Sequence, residues 1–206
     1  MCFQSSTTFL SLGIVKRIPN ILSILRILLA PLFVFLYLQD AFFWAGLGLA
    51  VFIAAAITDY LDGFYARRYN ASSPLGMFLD PLADKILTFA GFFCLPFIDS
   101  GQFPWWIIGI IVFRDILITL LRAWSEHRGK SMKTRYLAKV KTFVQMVFLY
   151  AVLILGILLK AGGLVGEYAG YLLGTGIAGL AFYGVMIITV YTALEYVYLN
   201  RRLFLK

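Results

Sequence analysis

Cysteine, histidine and charge are the scarce commodities in this chain of 206 residues. Only two cysteines occur, Cys2 at the extreme start and Cys94 inside an apolar run. They provide no disulfide framework, and nothing supports secretion as a cross-linked domain. His127 is the single histidine, so a zinc site lacks ligands. Charged residues make up 14% of the chain, well below the quarter or so typical of soluble domains. With 62% hydrophobic residues arranged in long runs, that deficit points to a polytopic helical membrane protein. The first twenty residues do not read as a cleavable signal. Their basic pair, Lys16 and Arg17, comes after a short apolar stretch and before a far longer one.

Apolar segments of roughly 20 residues predict about six spanning helices, in an all-α fold. The segments are 18–38, 41–65, 75–98, 105–124, 138–159 and 168–199, the last one overlong. The expected organisation is an interfacial segment over 1–17, one membrane domain over 18–199 and a tail over 200–206. Basic residues collect at one set of ends: Lys16 and Arg17, Arg67 and Arg68, the group from Arg122 to Lys141, and Arg201, Arg202 and Lys206. The opposite loops hold Asp40, Asp99 and Glu167 with Lys160. The positive-inside rule therefore places both termini in the cytoplasm. A net charge of +8 spread along that rim suits anionic head groups and phosphorylated substrates, and no nucleic-acid module is recognisable.

One segment breaks the apolar pattern: ITDYLDGFYARRYNASSPLGMFLDPLADK, from Ile57 to Lys85. Asp59 and Asp62 stand three residues apart, and Asp80 and Asp84 four apart, so each pair shares a helix face. Ionisable groups at membrane depth are expensive unless paired, hydrated or functional. Four carboxylates this close do not all ionise without cations, and hard divalent ions with oxygen ligands answer that need. Two such ions bridging phosphate oxygens make a phosphoryl-transfer site. Gly63 and Gly76 leave room for a ligand beside the carboxylates, and the planar fork of Arg67 suits a phosphate.

The run Asp59-x-x-Asp62-Gly63-x-x-Ala66-Arg67, eight residues, then Gly76-x-x-x-Asp80-x-x-x-Asp84 resembles the complete signature of the CDP-alcohol phosphotransferase family. The opening IPNILSILR, the segment FRDILITLLRAW and the segment AKVKTFVQM are similar to its phosphatidylglycerophosphate synthase branch. Three positions depart from that branch: Ser23 replaces a usual Thr, Asp115 a Glu and Ala138 a Gly. The Arg114-Asp115 pair is also similar to cardiolipin synthases of the same superfamily.

The resemblance implies transfer of a phosphatidyl group from CDP-diacylglycerol to an alcohol, with sn-glycerol 3-phosphate the expected acceptor. It implies that Asp59, Asp62, Asp80 and Asp84 ligate two divalent cations, Mg²⁺ or Mn²⁺, with Asp84 also the general base. Gly63, Ala66, Arg67 and Gly76 would line the CDP site. It further implies a homodimer in contact with membrane lipids. The size and start of the chain point to a bacterial inner membrane, with the site facing the cytoplasm.

The acceptor's own phosphate needs cations, and Arg114, Arg122, Lys139 and Lys141 are assigned to it jointly, with Asp115 orienting one of them. The plainer alternatives are a buried ion pair between Arg114 and Asp115, and an Arg122 that snorkels to the interface. Arg26 has two open readings, a phosphate contact or snorkelling. Two other functions remain in play: the same chemistry on another acceptor (phosphatidylglycerol, inositol phosphate or serine), and cation transport. The clustering of the motif carboxylates at one membrane face, with no inverted repeat, argues against transport.

Overall fold

The computed structural model describes the backbone of residues 18–69, 74–127 and 136–204, and the side chains of 21–58, 82–125 and 140–201. Among the described residues every regular element is helical. We label them α1 (Ile18–Tyr37), α2 (Phe42–Tyr69), α3 (Pro74–Ile98), α4 (Trp105–His127), α5 (Tyr136–Lys160), α6 (Gly163–Gly174) and α7 (Ile177–Phe204). The chain divides into two compact units, Met1–Ala90 and Gly91–Lys206, with the division falling inside α3.

In the first unit α1 and α2 form an antiparallel pair across the short connection at 38–41. The buried positions of α1 include Ser23, Arg26, Ala30, Phe33 and Tyr37, with Leu36 beside the last, and those of α2 include Ala45, Gly48, Phe52 and Ala55. Alternating steps of three and four residues on both helices are the mark of a coiled-coil seam. Phe33 and Phe52 meet with ring centroids 4.7 Å apart. One turn closer to the connection, Gly48 lies against the backbone of Tyr37, where an added Cβ would sit 2.7 Å from its nitrogen. Proline begins α3 at Pro74, a position that needs no N–H partner. The helix then runs on through Pro81.

In the second unit α7 packs on α4, α5 and α6, and α6 packs on α5. Phe92, Phe103, Phe148 and Phe182 gather at one end of the core, the last two stacked 5.5 Å apart. Gly91 admits Leu149 to the same region, since a Cβ there would meet its methyl at 2.7 Å. The sixth apolar segment differs from the expectation: it is two helices rather than one long span. The chain breaks at Thr175 and Gly176, where Gly176 takes a φ of 73°. The N–H groups of Thr175 and Gly176 donate back to the carbonyls of Tyr171 and Leu173 and close α6. Hydrophobicity is continuous across this break, which is why composition concealed it.

Among the described residues, two helices are long and apolar enough to cross a membrane by themselves, over Val140–Lys160 and Ile177–Arg201. Large apolar side chains also face outward on the other helices, among them Leu28, Phe35, Phe43, Phe113 and Leu120. Such a surface is an aggregation liability in water and the natural exterior in lipid.

Candidate active site

All four motif aspartates fall in the first unit. Asp59 and Asp62 lie in α2 with Gly63, Ala66 and Arg67, while Gly76, Asp80 and Asp84 lie in α3. Both segments are continuous helix, so three-residue and four-residue spacings put each aspartate pair on one face. The side chains of Asp59, Asp62, Gly63, Ala66, Arg67, Gly76 and Asp80 lie outside the described residues. Asp84 is described: it is partly exposed, with its Oδ2 3.5 Å from Lys85 Nζ. That pair is too open to the surroundings to hold the carboxylate rigidly. Its backbone carbonyl accepts from Thr88 Oγ1 at 2.9 Å, in the helix beneath it.

Among the described residues no three His, Cys, Asp or Glu side chains converge. The motif itself is a different matter, since three of its four carboxylates lie outside that set. Its donor set is purely carboxylate, without thiolate or imidazole, which fits a hard divalent cation.

Arg26 resolves against one of its readings. It is fully buried, 0% exposed, and so does not snorkel. Ser23, one turn before it on the same face, is equally buried.

The second unit holds a buried ion cluster built from Arg114, Asp115 and Lys141. Asp115 Oδ1 accepts from Lys141 Nζ at 2.6 Å and from Arg114 Nη1 at 3.0 Å. The side chains of Asp115 and Lys141 are 3% and 4% exposed, so the interaction sits away from solvent. Arg114 is also fastened to α7: Nε donates to the Thr189 carbonyl at 3.1 Å, and Nη2 to Thr192 Oγ1 at 2.9 Å. Among the described residues, two cations meet one carboxylate in a poorly solvated place, which strengthens each pairing.

Four residues were assigned from sequence to the acceptor phosphate. The structure brings Arg114 and Lys141 together, through Asp115. Arg122 is exposed, and the Lys139 side chain lies outside the described residues. The ion pair offered as the plainer reading of Arg114 is present. Thr189 and Thr192 lie in a stretch whose hydrophobicity is its dominant sequence feature, and so did not stand out as site residues. Their signal was modest: two hydroxyl side chains three residues apart on one helix face, in the stretch ITVYTALE.

The stretch matched by a family model encloses the motif. The family model described as CDP-alcohol phosphatidyltransferase matches residues 16–194. The chain is 35% identical over 186 residues to a protein of Salmonella typhimurium named CDP-diacylglycerol–glycerol-3-phosphate 3-phosphatidyltransferase, covering 87% of this chain and 92% of that one. A protein of the same name from Escherichia coli K12 is 32% identical over 185 residues, with the same coverage. With its acidic motif uninterrupted and the match running nearly from end to end, the chain belongs to the CDP-alcohol phosphatidyltransferase family.

Proposed function

We propose that this enzyme transfers the phosphatidyl group of CDP-diacylglycerol to sn-glycerol 3-phosphate, giving phosphatidylglycerophosphate and CMP. The observation that carries this reading is the intact motif from Asp59 to Asp84 in a chain similar along 87% of its length to relatives bearing that activity's name. Asp59, Asp62, Asp80 and Asp84 hold two divalent cations, Mg²⁺ or Mn²⁺. When bound, these supply neutralisation of the diphosphate and of the departing CMP oxygen.

The chain's own groups do the rest. Arg67 binds the diphosphate, and Gly63, Ala66 and Gly76 leave room along the CDP. Asp84 takes the proton of the acceptor hydroxyl as its oxygen bonds to the phosphorus carrying diacylglycerol. The bond from that phosphorus to the CMP oxygen breaks, and CMP leaves with the electron pair. Arg114, Arg122, Lys139 and Lys141 attract the acceptor's phosphate, with Asp115 holding Arg114 and Lys141 in place. Most of the rate gain is positioning and charge stabilisation, as in other phosphoryl transfers.

The same reading makes α1 to α5 and α7 six membrane spans, with both termini and the site on the cytoplasmic side of a bacterial inner membrane. At 12 residues α6 is about 18 Å long, too short to cross. The working form is a homodimer surrounded by lipid.

The test is CMP release from CDP-diacylglycerol by protein purified in mild detergent with Mg²⁺ or Mn²⁺. Parallel reactions contain glycerol 3-phosphate, phosphatidylglycerol, inositol phosphate, serine or no acceptor. Release with glycerol 3-phosphate alone, abolished by chelator and by Asp84→Asn, supports the assignment. Release with a different acceptor keeps the chemistry and overturns the substrate. No release from folded protein in lipid overturns the activity.

A further inference from the structure

The seam between α1 and α2 fixes which residues of α2 come level with Arg26. Within the described part, Tyr37 stands beside Gly48 and Phe33 beside Phe52. Each step back along α1 is thus matched by an equal step forward along α2. The buried residues keep that register, with Ala30 level with Ala55. Both helices continue unbroken, α2 as far as Tyr69. Seven residues back from Phe33 is Arg26, and seven forward from Phe52 is Asp59, a repeat that returns each helix to the same face. Three residues further, Ser23 comes level with Asp62. The apolar seam therefore ends in two polar layers, and they fall at the aspartates of the motif.

Charge balance leads to the same place. An arginine with 0% exposure requires an anionic partner, above all in a chain surrounded by lipid. The first unit offers five acids: Asp40, Asp59, Asp62, Asp80 and Asp84. Asp40 is exposed at the far end of α1, about 21 Å along the helix from Arg26. Asp84 has its carboxylate 42% exposed and beside Lys85. The remaining acids belong to the motif, and the register singles out Asp59.

We infer that Arg26 is the resident counter-cation of the aspartate motif, a positioning residue that holds Asp59 while Ser23 supports Asp62. A fixed guanidinium fork lets a cluster of carboxylates persist at the edge of the bilayer before any metal arrives, and keeps Asp59 aimed for it. The role in metal binding rests on the function proposed above; the pairing itself does not.

The pairing is tested by a double-mutant cycle on thermal unfolding, in chelator and without substrate. Arg26→Met is combined in turn with Asp59→Asn, Asp62→Asn and Asp80→Asn. The expected result is a large drop in Tm for Arg26→Met, at least halved when Asp59→Asn is added, with weaker coupling to the other two. Additive effects at Asp59, or stronger coupling elsewhere, overturn the pairing. Because the charge variants can fail to fold, oxidative cross-linking in membranes reads the register with Arg26 intact. Ser23→Cys joined to Asp62→Cys should cross-link, and Ser23→Cys with Asp59→Cys should not; the reverse overturns the register.

The positioning role has its own readout. Arg26→Lys should keep the half-saturating Mg²⁺ concentration within about threefold of wild type, while Arg26→Met raises it at least tenfold and leaves the acceptor KM within twofold. An unchanged Mg²⁺ requirement in active Arg26→Met protein overturns that role even if the pairing stands. Absence of activity in wild type would instead fault the proposed function and leave the unfolding cycle to decide the pairing.

Discussion

Asp115 carries more of the second unit's interior than its single charge suggests. Its Oδ1 receives both Lys141 and Arg114, and Arg114 in turn reaches two groups on α7. Removing one partner from a buried ion cluster strands the others, typically at about 3–5 kcal/mol. Asp115→Ala should therefore lower the unfolding temperature in detergent far more than Asp115→Glu, which retains the charge. Equal, small effects of the two substitutions would show that Arg114 and Lys141 find other anions. Asp99 offers a milder case outside the spans. Burial pushes its carboxyl up, but hydrogen bonds from the Gln102 side chain and from the backbone N–H groups of Gln102 and Gly101 outweigh this. The result lies below the ordinary value of 3.8. A lowered folded value means that the stabilisation is present above about pH 4 and is lost as the pH falls through the folded value. Asp99→Asn should then remove the part of the acid destabilisation that wild-type protein shows below pH 4; an unchanged acid limb would contradict the assignment.

Helices were legible in this sequence to within a few residues because long apolar runs leave the backbone no alternative inside a bilayer. The break between α6 and α7 was not legible, because Gly174-Thr175-Gly176 is as compatible with a tolerated helical stretch as with a turn. What separates the helices is partly remote: Gln102, in the connection before α4, donates to the Leu173 carbonyl and accepts from the Gly179 N–H. One side chain thus serves the end of α6 and the first turn of α7, both of which leave backbone groups unpaired. The α1–α2 seam makes a sharper prediction. At Gly48 an added methyl meets the Tyr37 backbone, which cannot rotate away, whereas at Gly46 it meets nothing within 4 Å. Gly48→Ala should destabilise by about 1–3 kcal/mol, as overpacking does, and Gly46→Ala should be neutral or slightly stabilising, as alanine suits a helix better. Similar thermal shifts for the two variants would argue against the close helix approach.

At the scale of the molecule, the charge asymmetry makes a topological prediction independent of catalysis. Single cysteines introduced at Asn70 and at Gly162 in a cysteine-free chain should label from opposite sides of intact cells or vesicles, Asn70 from the cytoplasmic side. Labelling of both from one side would overturn the six-span arrangement. By itself the sequence determined the helical class, the approximate ends of most helices and the family to which the acidic motif points. These depend on local features: apolar run length, and carboxylate spacing at helical period. Only the tertiary structure decided that Arg26 is buried, that Arg114 and Lys141 share Asp115, and that Thr189 and Thr192 accept from Arg114. Those facts depend on which helix faces meet, and residues 26 to 78 positions apart leave no local trace of their meeting in a chain that is apolar almost everywhere.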